Sequence, residues 1–260
     1  PSQPDVIEPR PSAAAVIAIN EQTEEILYSK NYDTVLPVAS ITKLMTAHIF
    51  LQSGTPLDTA VTYSADDNAV GSKLYIAPGE RVTAEQLFYT MLTGSANNAA
   101  NALARSTGLS RDAFVARMNE QAAEWGLAHT TFTDVSGLDT GNVSTVYDIA
   151  RLAKQVMKDF RILRGTTQPA YSFQTLEGKG HTIKISAKGL TNGILDDSLI
   201  ITGTKTGYLD EAGYCFVMKA RQERDSLNHV ITVVLNAGTS DPNIRYHETN
   251  ELIRYAFNKI

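Results

Sequence analysis

Two short apolar runs open the patterned part of the chain, "AAAVIAI" (13–19) and "EEILYS" (24–29), and the polar "NEQT" between them predicts a turn joining two strands. In "VLPVASITKLMTAHIFLQ" (35–52), apolar residues fall on nearly every helical face. That pattern predicts a buried helix, opened by Ser40 with Pro37 just upstream. Four helical patterns follow: "TAEQLFYTMLTG" (83–94), the alanine-rich "SANNAANALARSTG", "SRDAFVARMNEQAAEWG" ending at Gly126, and "STVYDIARLAKQVMKDF" (144–160). After residue 165 the period changes. "PAYSFQTL", "HTIKIS", "SLIITGTK", "GYCFVMKA" and "HVITVVLNA" predict strands, and "RYHETNELIRYAF" predicts a closing helix. Strands at both ends with helices between them predict a mixed α/β fold of the α+β kind. Its antiparallel sheet would be assembled from both chain ends and flanked by helices, with a mostly helical subregion over about 55–160. The expected organisation is a flexible leader over 1–12, "PSQPDVIEPRPS", and one domain over 13–260, with no internal repeat.

Composition narrows the function classes. The chain has 260 residues, 43% hydrophobic and 20% charged, enough for one large core or two small ones. A net charge of −5 without a Lys/Arg-rich run argues against nucleic acid as a partner. The longest apolar stretch, near 44–51, is too short to span a bilayer, and no signal-peptide pattern stands at the start; a cytosolic chain or an already processed one is expected. Cys215 is the single cysteine, which excludes an internal disulfide, and its strand-like surroundings suit a small buried hydrophobe better than a nucleophile. The five histidines have no metal-ligand spacing. No metal site, phosphate loop or dinucleotide fingerprint is found, so no cofactor is expected.

The chemistry begins with one polar pair. Ser40 and Lys43, at i and i+3, share one side of the predicted helix at its N-terminus. Free N–H groups and positive dipole potential gather there, so a hydroxyl, an amine and donors for an oxyanion can meet. The structural alternative is an N-cap serine and a lysine reaching for the surface. Ser-x-x-Lys alone decides little, because about one match is expected by chance in a chain of this size. Two further motifs follow in order: Ser95-Ala96-Asn97 on a turn before the alanine-rich helix, and Lys205-Thr206-Gly207 at the end of a strand. Ser-x-Asn recurs at Ser226-Leu227-Asn228, where a turn explains it, whereas Lys-Thr-Gly occurs once. The ordered trio carries far more weight than its parts, and it resembles the motif set of serine β-lactamases and penicillin-binding proteins.

With "PVASITKLMTA", "LFYTMLTGSANNAANALA", "FTDVSGLDTGNVSTVYDIARLA" and "GTKTGYLDEAGYCFVM", the chain resembles the low-molecular-mass penicillin-binding proteins of the D-alanyl-D-alanine carboxypeptidase and endopeptidase family, from about Ala13 to Phe257. It departs from them at "LTNGIL" (190–195), a partial match to an Asn-Thr-Asn-type segment, and at Leu209, where a small hydroxyl residue is common. The resemblance implies a β-lactamase/transpeptidase-like fold and a location outside the cytoplasm, periplasmic or secreted. The partners it implies are peptidoglycan peptides ending in D-Ala-D-Ala and β-lactam antibiotics. In the implied reaction Ser40 attacks the penultimate D-Ala carbonyl, and Lys43 is the base, its pKa lowered by burial and by Lys205 as a second cation. Ser95 relays a proton between Lys43 and the departing amine, and Asn97 bonds the substrate amide and Lys43. Lys205 and Thr206 bind the terminal carboxylate, Gly207 keeps the strand edge clear, and the oxyanion sits between the N–H groups of Ser40 and Tyr208. An endopeptidase cutting cross-links would use the same residues, and a β-lactam-sensing module would keep the serine and lysine. A class A β-lactamase would add a Glu-x-x-Leu-Asn segment, which does not occur between residues 97 and 205.

Overall fold

The computed structural model describes residues 7–223 and 227–260. Residues 1–6 of the expected leader and Ser226 of the second Ser-x-Asn lie outside them. The chain runs β1 (Ala15–Asn20), β2 (Ile26–Lys30), β3 (Leu36–Pro37) and a 3₁₀ turn (Ala39–Thr42) that leads directly into α1 (Lys43–Gln52). Next come β4 (Ala60–Thr62), β5 (Arg81–Thr83), α2 (Ala84–Gly94), α3 (Asn97–Ser106), α4 (Arg111–Glu124), β6 (Val143–Ser144), α5 (Val146–Val156) and α6 (Phe160–Thr167). The hairpin β7 (Ala170–Gln174) and β8 (Gly180–Lys184) precedes β9 (Ile200–Leu209), β10 (Gly213–Arg221), β11 (Val230–Leu235) and α7 (Ile244–Phe257).

The main sheet has the order β2-β1-β11-β10-β9, every pairing antiparallel, so both chain ends build it. β1 and β11 are buried along their whole length because both faces are covered, which is why "AVIAIN" and "VITVVL" read as near-continuous apolar runs. The period of two divides the core. Cys215 and Val217 of β10 join Ile17, Ile19, Ile231 and Val233 in the large cluster that holds α1, α2, α3 and α5. Phe216, Met218 and Ala220 face the other way and pack with Tyr246, Ile253, Ala256 and Phe257 of α7. Leu44, Met45, Ala47, Ile49 and Phe50 of α1 are all buried, so α1 is the enclosed axis of the helical region.

Three local features differ from the sequence expectation. Ser40 does not cap α1: it lies inside the 3₁₀ turn, and the capping position of α1 is Thr42, whose side chain makes no cap bond. The pattern over 144–160 breaks after Val156, and Asp159 caps α6 by accepting the Arg161 N–H, starting a helix that the periodicity did not signal. "PAYSFQTL" and "HTIKIS" do form strands, but among the described residues β7 and β8 pair only with each other, outside the main sheet. Gly94 at the end of α2 permits their approach, since a Cβ there would lie 2.4 Å from Ile183 Cγ2.

Residues 7–12, the described part of the leader, lie against the body. Pro9 and Pro11 are buried, with their carbonyls accepting from Tyr28 OH at 2.8 Å and Lys30 Nζ at 2.9 Å. Ser12 Oγ donates to Glu248 Oε1 at 2.7 Å.

Candidate active site

The polar pair of the opening motif is joined as its spacing implies. Lys43 Nζ lies 2.7 Å from Ser40 Oγ, 2.7 Å from Asn97 Oδ1 and 2.5 Å from the Ser136 carbonyl oxygen. Lys43 is fully buried. Burial pulls its pKa down from 10.5 to about 7, while the charge of Asp134 acts in the opposite sense. The second cation works differently from the expectation: the charge of Lys43 lowers Lys205, and burial is what lowers Lys43. Asn97 Nδ2 donates to the Val70 carbonyl at 2.7 Å, which fixes the amide with Oδ1 toward the lysine. Two of the three Lys43 neighbours are therefore acceptors only. A neutral amine has two N–H donors and one lone pair. Its two donors go to Asn97 and Ser136, and the lone pair is left for the Ser40 hydroxyl.

The backbone around this pair is specialised. Ala39 has φ +46°, a left-handed conformation unusual for a residue with a Cβ. Ser95 has φ +60° and ends α2, taking the left-handed place that the sequence pattern gave to Gly94. That turn leaves Ser95 Oγ 2.8 Å from Lys205 Nζ, whose other contact is the Thr206 carbonyl at 3.0 Å. Ser95 and Lys43 share no hydrogen bond; the partner of Ser95 is Lys205. Lys205 is held well below its ordinary pKa by burial first, then by the charges of Lys43 and Arg245.

β9 is an outer strand of the main sheet, so among the described residues one of its edges is free of strand pairing. At that end a Cβ on Gly207 would sit 2.9 Å from the Val38 carbonyl, so only glycine lets the strand pass the turn that carries Ser40. Tyr208 is 40% exposed, and its OH donates to Asp210 Oδ1 at 2.7 Å, which pushes its pKa up to about 12.

These elements enclose a cleft of about 490 Å³ lined by Ser40, Ser95, Asn97, Thr206, Gly207 and Tyr208 among others. Lys43 and Lys205 stand behind that wall, each bonded to a serine that lines it. All eight residues singled out by motif thus converge. Sequence reasoning missed three contributors. Arg245 of α7 lines the cleft, donates to the Gly207 carbonyl at 3.2 Å and lies over the rings of Tyr214 and Tyr246. Ser186 Oγ is 2.9 Å from Thr206 Oγ1. Ser136 contributes its carbonyl. None of these stood in a recognisable motif, and the "FTDVSGL" segment that carries Ser136 was noted only for its resemblance. "LTNGIL" contributes nothing to the cleft lining; Asn192 is exposed and bonds the Ile194 N–H at 3.3 Å. Among the described residues, neither Lys205 nor Arg245 has a carboxylate partner, and no group of three or more His, Cys, Asp or Glu could hold a metal.

The serine–lysine pair is set between a sheet edge and a helical region, the arrangement of the penicillin-binding superfamily, and comparison with known proteins agrees. A family model described as D-alanyl-D-alanine carboxypeptidase matches residues 2–239, and the chain belongs to that family. It is 30% identical to a D-alanyl-D-alanine endopeptidase of Pseudomonas aeruginosa, over 85% of this chain and 71% of the relative. It is 28% identical to the D-alanyl-D-alanine carboxypeptidase DacF of Bacillus subtilis, over 95% of this chain and 62% of that one. Among solved structures, a Streptomyces DD-transpeptidase superposes with a TM-score of 0.87 at 30% identity, covering 97% of this chain and 100% of the other. A Listeria monocytogenes penicillin-binding protein in its cefotaxime-bound form gives 0.82 at 32% identity, over 96% and 99%. The fold is the β-lactamase/transpeptidase-like one.

Proposed function

We propose that this chain is a serine-type D-Ala-D-Ala carboxypeptidase acting on peptidoglycan stem peptides through an acyl-enzyme on Ser40, and that β-lactams acylate the same serine. The observation that carries the reading is the contact set of Lys43: Asn97 Oδ1 and the Ser136 carbonyl can only accept, so in the neutral amine the lone pair is left to the Ser40 hydroxyl. Lys43 takes the Ser40 proton as Oγ attacks the penultimate D-Ala carbonyl. The oxyanion forms between the N–H groups of Ser40 and Tyr208. When the C–N bond breaks, Ser95 gives its proton to the departing amine and recovers one from Lys205, 2.8 Å away. The lysine pair thus keeps a single positive charge through acylation, moved from Lys205 to Lys43. Once the amine has left, Lys43 gives up its proton to water entering the cleft and Lys205 regains one through Ser95 Oγ, 2.8 Å away, so Lys43 is again neutral and can activate the water that hydrolyses the ester.

The terminal carboxylate of the peptide supplies what Lys205 and Arg245 lack. Thr206 donates its hydroxyl, Arg245 its guanidinium, and Lys205 a charge that the arriving carboxylate stabilises. Asn97 orients the substrate amide. Because peptidoglycan lies outside the cytoplasmic membrane, the reading includes a periplasmic or secreted location.

A second reading, cleavage of peptide cross-links, is favoured by relatives that carry both names at similar identity: endopeptidases at 30% and 34%, carboxypeptidases at 28% and 33%. A β-lactamase is disfavoured, because the carboxylates lining the cleft, Asp210 and Glu211, both follow Lys-Thr-Gly. Incubation with a pentapeptide ending in D-Ala-D-Ala and with cross-linked muropeptide dimers, read by mass spectrometry, separates the readings. Release of one D-Ala is expected. Cleavage of dimers alone would make it an endopeptidase, and penicillin binding without release from either would make it a sensor.

A further inference from the structure

One peptide group links the buried lysine to a carboxylate. The carbonyl of the unit joining Ser136 to Gly137 bonds Lys43 Nζ at 2.5 Å, and the N–H of the same unit donates to Asp134 Oδ1 at 2.5 Å. Asp134 is the hub of its loop. Oδ1 also accepts from the Ser136 N–H at 2.9 Å and Asn142 Nδ2 at 2.9 Å, while Oδ2 accepts from Ser136 Oγ and from the N–H groups of Leu138 and Asp139, each at 3.1 Å. Gly137 then lies directly on the turn that carries Ser40.

We propose that Asp134 is the positioning residue for Lys43: its carboxylate holds the Ser136–Gly137 peptide group in place and, through it, makes the carbonyl a stronger acceptor for the lysine. The deduction rests on Lys43 being the base. A carboxylate bonded to the N–H end of an amide polarises the C=O end, and in a dry interior the effect passes along the chain of bonds. The negative charge also favours the ammonium form, so Asp134 counters part of what burial does to Lys43. Too low a basicity would leave the amine a feeble acceptor of the serine proton; the carboxylate keeps it near neutral pH. Asp134 is the charge that bears on Lys43, while Lys43 and Arg245 of α7 bear on Lys205 of β9. α2 and α3 bring the uncharged Ser95 and Asn97.

The test is the pH profile of penicillin acylation efficiency, whose acid limb reports the base in the free protein. In Asp134→Asn the limb should move to lower pH by roughly half a unit to one unit, because the charge that favours the ammonium is gone. Ser136→Ala keeps the carboxylate and the Gly137 bond but removes one donor to Oδ2. The bared charge should leave the limb in place or raise it. A downward move in Ser136→Ala matching that of Asp134→Asn would show a merely structural loop and overturn the proposal. So would an unmoved limb in a folded, active Asp134→Asn. If Asp134→Asn does not fold, ¹³C-lysine titration of Ser136→Ala carries the test, and a lowered Lys43 midpoint overturns the proposal. Label retained in Ser40→Ala would instead sink the assignment of the nucleophile, a separate failure.

Discussion

A methyl group placed on the Cα of Gly137 would lie 2.0 Å from the carbonyl oxygen of Ala39. Gly137 also has φ +81°, where a side chain is strained in any case. The contact fixes the distance between the loop that carries the Ser136 carbonyl and the turn that carries Ser40. Gly137→Ala should therefore push Ser136 away from Lys43 and cost about 2 kcal/mol or more of stability. Urea unfolding and fluorescent-penicillin labelling check both effects. Wild-type labelling and an unchanged midpoint would show that the turn yields freely.

Arg245→Gln should weaken recognition of a terminal carboxylate. The guanidinium is buried beside Gly207 and without a carboxylate partner among the described residues. We expect KM for a D-Ala-D-Ala peptide to rise by roughly 10-fold or more, the scale of one charge-assisted bond. The same peptide ending in an amide should be turned over poorly by both proteins and lose little further. An equal loss for both peptides would mean that Arg245 only supports the fold.

Burial of Lys43 should be visible in stability. Its pKa is 10.5 when unfolded and about 7 in the fold, so between these values the unfolded chain binds the extra proton. Stability then rises with pH across that window, and the cost of the buried charge is full below pH 7. Compared with Lys43→Met, the wild type should gain on the order of a few kcal/mol from neutral pH to pH 10. Denaturant midpoints of the two proteins across that range decide it. A constant difference would place the lysine near its ordinary pKa.

A penicilloyl-Ser40 adduct should be long-lived. Its tethered leaving amine blocks the path that water takes to the peptide ester. Water from another side would need a base between the second and third motifs, and no carboxylate from that stretch lines the cleft. A missing general base is worth roughly 10²–10⁴-fold in rate. Intact-mass kinetics should show the adduct persisting; rapid return to the unmodified mass would restore the β-lactamase reading.

The parts of this protein that depend on near neighbours were legible in the sequence. Ser40 meets Lys43 because three residues are about one helical turn, and α1 is central because its apolar residues cover every side. The strand pattern of β10 sends Cys215 and Phe216 to opposite layers by the same local rule. Motif order supplied Ser95, Asn97 and Lys205. The break before α6 was not legible, because a side-chain cap at Asp159 decided it and the apolar period did not. Nor did the strand patterns of β7 and β8 tell which sheet would hold them, since a strand carries no label for its partner. Only the tertiary structure placed the Arg245 guanidinium against Gly207, Ser186 against Thr206, and the peptide group between Asp134 and Lys43. Each of these joins segments far apart in sequence, and its geometry is set by how α7, the β8–β9 connection and the 134–139 loop pack on the strand and helix that carry the motifs. Local periodicity holds no record of such packing.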